Sequence, residues 1–522
     1  TNSYNVVIGV EAFKTADDGE NNNVAIGWGA GQLVNNSGAD ENVFVGTFAG
    51  KGGTGRLNQS VAIGAQALDA TGTADVVGAV AIGYSALTAA NNSNVDYSIA
   101  IGHTALNSLQ SGQHNIGIGF QALTATNGGQ FSVAIGSEAG KFSVTGGNNV
   151  LIGYQTARGN LGDSHSYTTA IGYQAAYAIT TSQMTTAIGY RSAYNITSGR
   201  YNTAVGGQSL ETATTAQNNV AIGYQAGQDV TTSSGSVFIG HSAGHDVTTT
   251  NNSIAIGWQA MNGGATTGDN NIAIGTGTMN AVNSGQRNIA IGRSALAVAT
   301  TNSDCVAIGH EALRNNYGGS CIGIGKNAGR TRTTGMGVDI YIGRDAGYSV
   351  KAGGQSVFIG PESTGYNVHD TQGSVYIGQG AAHNQTTGDY NVAVGAYSAA
   401  SSATGSNAEY ITMVGSFAGQ YSTGSNNTFV GYQAGKGGQT SAPYSSGINN
   451  VAVGGEALTA FTSCTSNVAL GYRALKAVTT GGANIGIGVQ AGDTLTSGGN
   501  NIVIGNAADV ASNDNQYNVI LG

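Results

Sequence analysis

Val220-Ala221-Ile222-Gly223 is the stretch that decides the fold, because the chain keeps rewriting it. It recurs as Val24-Ala25-Ile26-Gly27, as Ile289-Ala290-Ile291-Gly292 and as Val451-Ala452-Val453-Gly454. Aligned on the glycine, 30 copies run from Gly9 to Gly522, and 16 of the 29 intervals are 17 residues long. A short fixed period from end to end marks a stack of repeats, each packing on its neighbours.

With the glycine numbered zero, position −3 is Val, Ile or Thr in every copy and position −1 is Ile, Val or Leu. Side chains alternate along a strand, so these two rows share one face and position −2 lies on the other. Position −2 is apolar or glycine throughout, as in Ala25, Phe44, Leu151, Phe238 and Tyr341, so both faces are expected to be buried. Position +3 is Ala in 23 of the 29 complete copies and Ser or Thr in the rest, a restriction that points to tight packing. The core set of the central copies is therefore Val220, Ile222, Gly223, Ala226, Ile289, Ile291, Gly292 and Ala295. Position −4 is Asn in 16 copies and Ser in seven, and stacked Asn side chains can hydrogen-bond one above another as a ladder. From +5 to −5 the chain is rich in Thr, Ser, Gly and Asn, the composition of turns.

Seventeen residues is too short for a strand–helix crossover and too long for a tight hairpin, but it suits one coil of a parallel β-solenoid. The fold class predicted is all-β, a parallel β-solenoid or β-roll of about 30 coils, forming one elongated domain over 1–522. Stacking at the ~4.8 Å strand spacing gives a rod about 140 Å long. Longer loops are expected at 396–414 and 432–450, where the interval grows to 20 and 23 residues. One strand face fills its own coil, while the other needs a second surface. An identical chain supplies it most simply, with the −2 row at the axis of a homo-oligomer. The alternative is a single chain whose −2 row is enclosed in a flattened roll.

The pattern Asn/Ser-Val-Ala-Ile-Gly-x-x-Ala resembles the head repeat of trimeric autotransporter adhesins. The stretch Ala221-Ile-Gly-Tyr-Gln-Ala-Gly227 is similar to repeats of bacteriophage tail-fibre and related surface-fibre proteins. The resemblance covers the whole chain and implies a left-handed parallel β-roll, a homotrimer packed about one axis, and an extracellular place on a virion or cell surface. The period here is longer than in the adhesin head. The stalk coiled coil and membrane-anchor barrel of that family are not seen within these residues, which leaves the mode of attachment open.

Charged residues are only 9% and the net charge is −9, so no basic stripe is available for nucleic acid or anionic lipid. No apolar run is long enough for a transmembrane helix. The eight His and 27 acidic residues form no sequence cluster of catalytic or metal-binding spacing, and neither an enzyme activity nor a cofactor is expected. His241 and His245 are four apart, but the helix needed by a zinc-protease motif is absent. Cys305 and Cys321 share the −4 register of adjacent coils, as a disulfide or as two small buried residues, and Cys464 reads as part of a turn.

Position +1 is the most informative variable site. Trp28, Tyr154, Tyr173, Tyr190, Tyr224 and Trp258 occupy it, with Tyr154, Tyr173 and Tyr190 in three successive coils. Such a ladder either stabilises the sheet by stacking or contacts a glycan or partner surface. The function expected is the structural shaft of an extracellular fibre, partnered by further copies of itself. A self-polymerising filament and a rod that itself binds a host glycan or receptor are the alternatives.

Overall fold

The computed structural model describes residues 3–522 apart from 18, 74, 91–94, 265, 282, 299, 317–318, 333–336, 364–368, 386, 401–406 and 440–443. The chain is an all-β parallel solenoid of about 28 turns. It forms two compact units, Thr1–Thr267 and Gly268–Gly522, built on the same plan. In the first unit the strand Val220–Ile222 pairs in parallel with Val237–Ile239, residue for residue. In the second, Ile289–Ile291 pairs likewise with Val306–Ile308. The strands of this main sheet are three residues long, but the ladder extends well beyond them. The Val220 amide donates to Ser236, while those of Gly223 and Gln225 reach back to Val205 and Gly207 in the preceding coil. Of the 396–414 and 432–450 loops, residues 401–406 and 440–443 lie outside the described residues.

Left-handed backbone conformations bend each coil. In the copy centred on Gly223 they fall at Asn218, Gly223, Gln225 and Gly227, with φ of 56°, 133°, 57° and 57°. The last two values lie in the small left-handed helical well that an ordinary L-residue can enter, and Leu210 does so at the equivalent site with φ 48°. The key glycine lies outside that well. A Cβ built on Gly223 would also stand 2.5 Å from the carbonyl oxygen of Gly240 in the next coil. Conformation and close approach both demand glycine, which is why this column never varies.

The interior contains rows that composition hides. Ala221 at −2 and Ala226 at +3 are fully buried, and so are Leu210 at +4 and Val230 at +7. The +4 and +7 rows sit among turn-forming residues and carry much of the apolar volume. Rows −2 and +4 exchange that volume. Phe238 is flanked by Gly227 and Gly244, and a Cβ on Gly244 would lie 2.2 Å from its ring. Phe44 and Tyr341 likewise have a glycine on each side, and Phe429 lies against Gly435. Conversely, glycine at −2 in Gly117, Gly323 and Gly486 faces Leu106, Leu313 and Leu475 of the preceding coil. The sum is held near constant while each column varies, as native packing density requires.

The polar row at −4 is enclosed and forms the ladder read from the sequence. Asn484 donates its backbone and side-chain N–H groups to Asn467 Oδ1, at 2.9 and 3.0 Å, and Asn501 does the same to Asn484. The remaining Nδ2–H reaches a carbonyl across the coil, as from Asn484 to Gly498 at 2.9 Å. Buried amides are thus satisfied along the stack. Cys305 and Cys321 replace Asn in this row as free, buried thiols, and burial pushes the Cys305 thiol up to about 11. Cys464 is also free and lies inside the coil, against the expectation of an incidental turn residue.

Candidate functional site: an outward face of aliphatic and aromatic rows

The strand face at −3 and −1 points out of the coil. Ile222 and Ile291 are 41% and 37% exposed, and Val220 and Ile289 are half-buried. The −2 row is enclosed by its own coil, with Ala25, Phe44 and Phe238 at 0% exposure. This corrects one expectation: the −2 side chains do not face a fibre axis, and it is the −3 and −1 face that the single chain leaves open. The reason is volume, since +3, +4 and +7 close around −2 and leave no room for the second face. Of the predicted core set, Ala226 and Ala295 are interior, Gly223 and Gly292 make the bend, and the four Val and Ile residues belong to the outer face.

The aromatic positions lie on that same outer face. Tyr154, Tyr173 and Tyr190 stack coil upon coil, with ring centroids 5.3 and 5.5 Å apart and planes within 19°. Tyr224 leans on His241 at 5.4 Å, and Trp28 tilts against Phe48 at 4.6 Å. Trp28, Tyr224 and Trp258 are half exposed. His103, at the same register, is sandwiched between Tyr84 and Phe120. Stacked rings cover one another's faces and present mainly their edges to solvent.

A second aromatic row, missed in the sequence, runs at −5. Tyr97, His114 and Phe131 stack at 5.3 and 5.4 Å with planes within 10°, and Tyr390 stacks on Tyr410 at 5.8 Å. The signal was available in the alignment, because Tyr97, His114 and Phe131 all stand five residues before the glycine of successive coils. The outer face is therefore two aliphatic rows bordered on each side by aromatics, as in Tyr167, Thr169, Ile171 and Tyr173.

Charged groups lie mainly on the turns and serve the stack. Burial alone would raise the Glu138 carboxyl, but hydrogen bonds from Lys141, Gln155 and Arg158 outweigh it and hold the group at about 2. Two polar features are internal. His165 is fully buried, neither ring nitrogen has a partner, and burial lowers its pKa to about 4. Arg332 and Asp339 form an ion pair at 2.6 Å, each 1% exposed, with Cys321 and Tyr341 hydrogen-bonded alongside. Two shallow depressions of about 370 Å³, one around Thr15 and Leu33 and one around Thr465 and Gly499, are lined without any titratable side chain. Among the described residues no helix is long and apolar enough to cross a membrane. No protein-family model matches the chain, and no curated protein matches it.

Proposed function

We propose that this chain is the shaft of an extracellular fibre of the tail-fibre or surface-adhesin kind, assembled from copies of itself and without catalytic activity. The observation that supports this most is the outer face. A half-exposed apolar stripe repeated coil after coil is far more than a soluble surface usually leaves open. A second and third copy, each with the same periodic face, would cover it in register and leave the fully enclosed −2 row untouched. The mechanism is mechanical. Each coil adds ladder hydrogen bonds and an apolar layer, so stiffness accumulates without a globular core. The glycan-binding reading has less support, because sugar rings need exposed aromatic faces and the faces of Tyr154, Tyr173 and Tyr190 are taken up by one another.

The test is the native mass by light scattering, with negative-stain images alongside. Three times the mass of one chain, falling to one after Ile222→Lys and Ile291→Lys together, is expected. A single-chain mass for the unaltered protein overturns the oligomer. Host binding lost on changing the three stacked tyrosines to Ser, with the mass unchanged, would move the adhesin reading into first place.

A further inference from the structure

The turns carry one group of side chains that the shaft does not require. Asp229 lies six residues past its coil's glycine, and His245 and Asp246 lie five and six past the next one. The ladder fixes their backbones, with the Asp229 amide donating to the His245 carbonyl at 2.9 Å. One imidazole nitrogen and one oxygen from each carboxylate all lie within 4.8 Å of one another. His245 Nδ1 contacts Asp246 Oδ1, and the second Asp246 oxygen accepts from the Gly264 amide at 3.3 Å. The His245 and Asp246 side chains are 27% and 35% exposed, open to an entering ion. Among the described residues no lysine or arginine pairs with either carboxylate, so two negative groups converge on one imidazole. At the +5 position, Gln228 of Asp229's own coil and Asn262 of the coil after His245 have side-chain oxygens buried without a hydrogen-bond partner.

We propose that Asp229, His245 and Asp246 bind one divalent transition cation of the zinc class, tying two successive coils together at the turn. One neutral imidazole and two carboxylates are donors that zinc accepts, at about 2.0–2.2 Å, with water completing the shell. Tetrahedral donors at that distance stand ~3.4 Å apart, so the half-exposed side chains have only to rotate inward. The hard cations magnesium and calcium favour all-oxygen sets, which the imidazole spoils. Sequence spacing could not show the site, because its ligands come from two copies.

The test is calorimetric titration of the full chain, stripped with a chelator, with zinc chloride. One equivalent more is expected in the unaltered protein than in Asp229→Asn/His245→Ala, and weaker adventitious uptake by the other histidines and the cysteines should persist in both. The thermal midpoint should rise with zinc in the unaltered protein alone. His241→Ala, at a half-exposed neighbouring position, should keep the equivalent. Asp246→Glu should keep it with a Kd weakened no more than about tenfold. Equal stoichiometry in the unaltered and double-variant proteins overturns the proposal, as does no saturable uptake at all. If the double variant melts early without zinc, Asp229→Asn alone decides by the same count.

Discussion

At the residue scale, the key glycine and its neighbours obey different rules. Gly223→Ala places a methyl against Gly240 and forces an L-residue to φ 133°, so a loss on the order of 3 kcal/mol or more is expected. Gly207→Ala at +1 comes no nearer than 3.4 Å to anything, the Tyr224 ring being its first neighbour, and should cost little by comparison. Urea unfolding of the two variants side by side checks this. Phe238→Ala should cost about 3–5 kcal/mol through the cavity it leaves. Adding Gly244→Leu should return most of that loss, because Leu occupies the +4 position beside an Ala at −2 in the coil of Ala204 and Leu210. An additive double variant would show that the two rows do not exchange volume. The same contrast explains what the sequence disclosed. Columns 0, −1, −3 and +3 repeat almost without exception and are legible on alignment. The +4 row varies mainly among Leu, Met, Ala and Gly to complement −2, with Phe13 and Asp509 at the two ends, so no single residue type marks it.

At the scale of the coil, stability depends on polar groups that the enclosed ladder must satisfy. Removing one partner of the Arg332–Asp339 pair leaves a buried charge, and Arg332→Ala is expected to cost about 3–5 kcal/mol. Replacing Asp339 with Asn as well should recover part of it, since Asn suits the −4 row. Acid should weaken the fold in two windows. His165 is held neutral in the folded state, so unfolding is favoured as pH falls from 6.5 to about 4, where only the open chain takes up a proton. Glu138 is depressed, so its contribution is present above 4.5 and is lost as pH falls to about 2. Denaturation midpoints across pH 2–7 should show both slopes, with His165→Gln flattening the upper one and Glu138→Gln the lower. A sequence reader sees Glu138 and His165 only as isolated titratable residues. Their surroundings arise from coils one period away.

At the scale of the molecule, the period set the architecture, while parity along the strand misassigned the surface. Two apolar rows on opposite sides of a strand do not say which one the coil encloses. That depends on +4 and +7 folding over −2, which turn composition concealed. The outer face then carries the prediction of assembly, and the lysine pair at 222 and 291 tests it without touching any interior side chain.

Because Val220–Ile222 pairs in parallel with Thr203–Val205 one period before and Val237–Ile239 one period after, a whole coil is a separable unit. Excising residues 224–240 joins Gly223 to His241 and sets Val220 opposite Ile254, with every row still in line. Such a protein should melt within a few degrees of the parent, whereas removal of 224–232 should leave it insoluble. For the gene this means that slippage or unequal crossing-over by 51 base pairs changes length without inventing a new interface. Length is then something inheritance can adjust by single turns, while the cross-section stays fixed.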